Sequence, residues 1–130
     1  MITDKTQIIY NGIVKVARGL EGQIYDNCGG FVREVLGRAG MPVQGRLRDF
    51  GIEVPVAERR AGDLIFYYSS LANYLSDKPA HVGILANPDE ITHMSSGRIT
   101  IDSLESIVLD KELPQLRNSL SFVRIRRALQ

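Results

Sequence analysis

The apolar residues of this chain change period partway along, and that switch constrains the fold more than any other feature. Up to Gly40 they recur at helical spacing. From Gly62 onward, short apolar runs alternate with polar residues or run continuously between turn residues, as strands do. Two helices first and an antiparallel meander afterwards imply an α+β fold, with the N-terminal helices packed on one face of the sheet. One cysteine excludes an intramolecular disulfide framework, so cohesion has to come from a hydrophobic core. At 130 residues, 44% of them hydrophobic, the chain is long enough for a single domain over 1–130 and too short for two.

The first helix is expected over 5–18, capped by Thr3 or Asp4, with Ile9, Ile13, Val16 and Leu20 on one face and Gly12 as a weak point inside it. Gly19 and Gly22 break the chain. The second helix is expected over 27–38, ending at Gly40 with Pro42 beyond. In it Cys28, Val32, Val35 and Ala39 share one stripe, which puts the thiol where that stripe meets the surface. Residues 46–58 read as a loop with a short helical turn. Then follow a buried strand at 62–67, a loop over 69–80, strands carrying His81 and His93, and a strand at 98–101. A short helix at 103–109 and a closing strand at 121–127 complete the chain. No repeat, low-complexity stretch or linker interrupts it.

The chemistry-bearing residues are few. Cys28 opens a helix in Asp26-Asn27-Cys28-Gly29-Gly30, and the unpaired N–H groups of a helix start suit a nucleophile. A lone cysteine is also commonly just a small buried hydrophobe. The chain has only two histidines, His81 and His93, on strands joined by the turn signal Asn87-Pro88-Asp89. A thiol on a helix end, an imidazole at a strand start and a second polar group on the next strand are the parts of a nucleophile, base and orienter. Gly29 and Gly30 are poor helix formers; either the helix start tolerates them or they let a backbone or substrate approach closely.

Other classes are disfavoured. The net charge of +1 offers no basic field for nucleic acid, and Arg124, Arg126 and Arg127 fall on an alternating strand that reads as one solvated face. Two histidines and one cysteine match no metal-ligand spacing, so no metal is expected. The start of the chain lacks a signal-peptide apolar region and no apolar run is long enough to span a membrane. The expected location is therefore cytoplasmic, phage-associated or reached by a signal-independent route.

Four segments in order resemble the NlpC/P60 family of papain-like cysteine peptidases: Asp26-Asn27-Cys28-Gly29-Gly30-Phe31-Val32, Ala61-Gly62-Asp63-Leu64-Ile65-Phe66, His81-Val82-Gly83-Ile84 and Ile91-Thr92-His93. The closing Phe122-Val123-Arg124-Ile125-Arg126 is similar to the family's last strand. The resemblance implies a papain-like NlpC/P60 fold with Cys28 as nucleophile, His81 as base and His93 orienting His81. It implies cleavage of amide bonds in peptidoglycan stem peptides or cross-links, commonly beside D-glutamate, with no cofactor; a monomer is expected.

The departures from the family pattern bear on recognition. The family usually reads Asp-Cys-Ser-Gly at the nucleophile, and in several relatives that Asp recognises the free amine of the stem peptide. Here Asn27 stands in its place, Asp26 is the remaining acid and Gly29 follows the cysteine. Tyr25 occupies the family tyrosine's place. Tyr25, Asp26, Asn27 and Gly29 are thus the expected substrate-binding residues, with the 69–80 loop as the other wall. The Asp-Asn-Cys start is also similar to injected amidase effectors, which would bring an immunity or delivery partner. A thiol hydrolase or acyltransferase acting on another amide or ester, and a catalytically silent binding module, are the alternatives. Cysteine before histidine disfavours the circularly permuted lipid acyltransferase relatives.

Overall fold

The computed structural model describes residues 4–104 and 122–128, with side chains described from residue 11. Helix α1 covers Asp4–Gly19 and α2 covers Cys28–Arg38. Strands follow at β1 (Ile52–Val54), β2 (Leu64–Tyr67), β3 (His81–Asn87), β4 (Glu90–Ser95), β5 (Arg98–Ser103) and β6 (Val123–Arg127), with a short helix α3 (Leu71–Leu75) between β2 and β3. They form one six-stranded antiparallel sheet in the order β1-β6-β2-β3-β4-β5. The α+β expectation holds.

The helices bury their apolar stripes on one sheet face. Ile13, Phe31, Val32, Val35 and Leu36 pack with Leu64, Phe66, Val82 and Ile84 in one core cluster. Ile65, Tyr67, Leu85, Ile91, Val123 and Ile125 form a second cluster from the alternate residues of the same strands. Cys28 is half-buried at the rim of the first cluster, as its place on the α2 stripe predicts.

Several expectations change. The 46–58 segment contains the edge strand β1 between two short 3-10 turns at Leu47–Asp49 and Val56–Glu58. Three residues show no period; pairing with β6 makes them a strand. The 69–80 loop contains α3, whose cap Ser70 accepts the N–H of Asn73 at 3.1 Å. Strand β5 runs on to Ser103, and the rest of the helix expected at 103–109 lies outside the described residues beyond Leu104.

The arginines of β6 are not a solvated face. Arg124 lies 4.1 Å from the Tyr74 ring centroid and pairs with Glu53. Arg126 donates to the carbonyls of Phe50 and Gly51. Arg127 makes a two-pronged pair with fully buried Asp63 at 2.8 Å on each prong. That last pair ties the start of β2 to the closing strand. With both members enclosed, removing either would strand a buried charge.

Candidate active site

Local chemistry sets the helix end that carries Cys28. Asn27 is extended (φ −155°, ψ 159°), and its Oδ1 accepts the Gly30 N–H at 2.6 Å as an N-cap. The Phe31 N–H closes on the Asn27 carbonyl at 3.3 Å. Of the first-turn amides, those of Cys28 and Gly29 are left without an acceptor among the described residues. A Cβ on Gly30 would stand 3.2 Å from the capping oxygen, so glycine there keeps the cap unstrained. At Gly29 a Cβ would reach only ordinary contact, 3.6 Å from Leu47 Cδ1.

Strand register sets the second half. His81 is the first residue of β3 and pairs with Tyr67 of β2. Its Nε2 lies 2.8 Å from Nδ1 of His93, with the two rings perpendicular. Nε2 of His93, which is 3% exposed, lies 2.8 Å from Oδ2 of Asp102 on β5, and the Thr100 hydroxyl donates to the same oxygen at 2.8 Å. Burial pushes the Asp102 carboxyl up, but hydrogen bonds from His93 and Thr100 and the electrostatic pull of His93 outweigh it. The net value is lowered and the group is an acceptor.

The tautomers follow from that end of the line. A carboxylate can only accept, so His93 carries a proton on Nε2, and in its neutral form it presents Nδ1 as a lone pair. His81 then donates from Nε2, and its Nδ1 becomes the basic nitrogen.

Gly83 makes this line possible. It sits on the same side of β3 as His81, and a Cβ there would lie 2.4 Å from Ile91 Cδ1 and 2.9 Å from His93 Cβ. Only a bare backbone lets β4 bring His93 this close.

Cys28 and His81 line one cleft of about 330 Å³ at the end of β2 and β3. Its position at a strand end, rather than on a face, lets Phe66 and Val82 from the helix side share it with His81. Gly29 lines it beside the thiol, Leu47 adds apolar wall, and Arg33, Arg46 and Arg48 add positive charge. Only the end of the 69–80 segment, Pro79 and Ala80, contributes to its wall.

The structure thus brings together Cys28, Gly29 and His81, with His93 behind His81. Tyr25, Asp26 and Asn27 do not line the cleft: the Tyr25 ring stands edge-on to Phe31 at 5.5 Å, Asp26 is exposed and the Asn27 amide is committed to its cap. Asp102 is the participant that sequence reasoning missed. The signal was the alternation Thr100-Ile101-Asp102, cut short by ending the predicted strand at Ile101. Among the described residues no group of three or more His, Cys, Asp or Glu is placed to hold a metal ion, and no helix is long and apolar enough to cross a membrane.

The model of the NlpC/P60 family matches residues 18–118. No curated protein sequence matches the chain. Among solved structures, the P60 domain of antigen MAP1204 from Mycobacterium avium subspecies paratuberculosis is similar with a TM-score of 0.63 at 18% identity, over 75% of this chain and 87% of that one. NlpC2 from Trichomonas vaginalis gives 0.68 at 15% identity, covering 92% of this chain and 46% of its own. A lipoprotein-like NLP/P60 protein from Staphylococcus aureus gives 0.66 at 21% identity, covering 98% and 43%. The chain therefore spans less than half the length of the latter two proteins.

Proposed function

Because this chain belongs to the NlpC/P60 family, we propose that it is a cysteine hydrolase that cleaves amide bonds in peptidoglycan peptides. The observation that carries this reading is the line His81–His93–Asp102, whose first member shares a cleft with Cys28. Such a line has no structural need to end at a cysteine-bearing cleft, whereas a thiol enzyme requires an oriented base there.

The reaction follows from the tautomers. Nδ1 of His81 accepts the Cys28 thiol proton, and the thiolate adds to the amide carbon. The backbone N–H groups of Cys28 and Gly29, at the positive end of α2, stabilise the resulting oxyanion. The imidazolium returns its proton to the leaving nitrogen as the C–N bond breaks, leaving a thioester on Cys28. Water then gives a proton to His81, attacks the thioester and releases the acid, and the thiol is regenerated. His93 and Asp102 hold the His81 tautomer and offset its transient charge; they are positioning residues.

Digestion of purified peptidoglycan followed by mass spectrometry of the muropeptides tests the reading. New amide-cleaved fragments are expected with the native protein, and Cys28→Ala and His81→Ala should each reduce them by at least roughly a thousandfold. An unchanged muropeptide profile with the native protein, or full activity in either variant, would remove the assignment.

A further inference from the structure

Among the described residues, three arginines line the cleft beside Cys28 and no carboxylate does, in a chain whose net charge is only +1. Two of them are held in a way that preserves their charge. Arg33, one helical turn beyond Gly29 on α2, donates from Nη2 to the Gly45 carbonyl at 2.7 Å. Arg48 donates from Nη1 to the Asp77 carbonyl. A neutral carbonyl fixes a guanidinium and uses one of its five N–H donors, leaving the positive charge and the other donors available. Arg46 differs, since its Nε pairs with Asp49 at 3.1 Å and its charge is partly balanced. Two tethers from separate segments, at residues 45 and 77, therefore point charged forks at one cleft. The first-turn amides of Cys28 and Gly29 add partial positive charge at its inner end.

We propose that Arg33 and Arg48, assisted by Arg46, form a carboxylate-binding subsite beside Cys28, so that the preferred substrate carries a free carboxylate close to the scissile amide. The inference rests on the hydrolase reading above and names the substrate class within it. An ammonium group would be repelled here, and neither Asn27 nor Asp26 lines the cleft to compensate. The subsite therefore separates a carboxylate from its carboxamide counterpart and does not select a free amine. Arg48 is half-buried and Arg33 exposed, so solvent screens Arg48 less and its contribution is the larger.

Iodoacetate and iodoacetamide differ only by this carboxylate-for-carboxamide exchange, and both alkylate Cys28 without requiring turnover. The readout is the ratio of their rate constants, divided by the same ratio for N-acetylcysteine. For the native protein it should favour iodoacetate by about tenfold, the scale of a charge-assisted contact. It should fall towards the free-thiol value in Arg48→Gln, less so in Arg33→Gln, and with added salt. A native ratio equal to that of the free thiol, or a ratio unmoved by both substitutions, overturns the subsite.

A second arm compares kcat/KM for two stem-peptide analogues, one with a free α-carboxylate beside the scissile bond and one with a carboxamide. A preference for the carboxylate analogue, lost in Arg48→Gln, supports the proposal, and equal cleavage overturns it while leaving the hydrolase reading intact. An iodoacetate preference with neither peptide cut would sink the hydrolase reading and leave the anion subsite standing. Failure of both reagents to alkylate the folded protein would overturn both.

Discussion

The two halves of the candidate active site are held in different ways. The Cys28 half is local: Asn27 caps α2 through the amide three residues later, and α2 is anchored by Phe31, Val32, Val35 and Leu36. The His81 half is distributed over three strands, with His81, His93 and Asp102 brought into line by the register of β3, β4 and β5. A cap can be lost while packing keeps the helix in place. A register is shared among three strands, so small displacements of β4 move His93 relative to both of its partners at once.

Breaking the register should therefore have the larger effect. In Gly83→Ala the new methyl meets Ile91 and lies 2.9 Å from His93 Cβ. The Ile91 tip can rotate away; the His93 backbone can yield only by moving the strand. Stability should fall by about 2 kcal/mol in denaturant titration. Hydrolysis should fall by roughly a hundredfold because the displaced His93 no longer orients His81. Native turnover in this variant would show that the line tolerates displacement.

Asp102→Asn tests the far end of the line with an intermediate effect. Its amide oxygen can still accept from His93, so the geometry can survive, but the charge that offsets the His81 imidazolium is gone. A fall in kcat of about tenfold is expected with KM unchanged, together with a shift of the acid limb of the pH profile to lower pH, since losing the carboxylate's negative charge disfavours the protonated base. The sign for stability follows from the lowered value of Asp102. Its contribution is present above the ordinary carboxylate range and is lost as pH falls through the lower folded value, so the acid side of the stability curve should flatten in the variant. A variant with an unshifted profile would reduce Asp102 to a structural contact.

The smallest effect belongs to the local half. Asn27→Ala should cost about 1 kcal/mol of stability through the lost cap, read as a lower thermal midpoint. Turnover should change by less than about threefold, given the packing that holds α2. Asn27→Asp should restore the stability, because a carboxylate caps equally well. A large loss of turnover with unchanged stability would instead give Asn27 a direct part in substrate contact.

The same division explains what could be read in advance. Helices α1 and α2, the α+β order and the rim position of Cys28 follow from periodicity and neighbours in the chain, since each depends on residues within a few turns. The pairing of His81 with His93 was foreseeable because only two histidines exist and a short turn joins their strands. Helix α3 was not, because five residues show no period and its signal was a single Ser70 cap. Strand β1 exists only as the partner of β6, and the β6 arginines looked solvated because alternation cannot show that Asp63, Glu53 and two tyrosines stand opposite them.

The amino-acid sequence by itself determined which residues could do chemistry and that they would fall on a helix start and two adjacent strands. Only the tertiary structure decided that Asp102 ends the histidine line, that Gly83 makes room for it and that Arg33, Arg46 and Arg48 converge on the cleft. Local signals act through bonds to near neighbours and leave a trace in residue order. These later placements depend on strand register and on carbonyl tethers between distant segments, and those exist only once the sheet has closed.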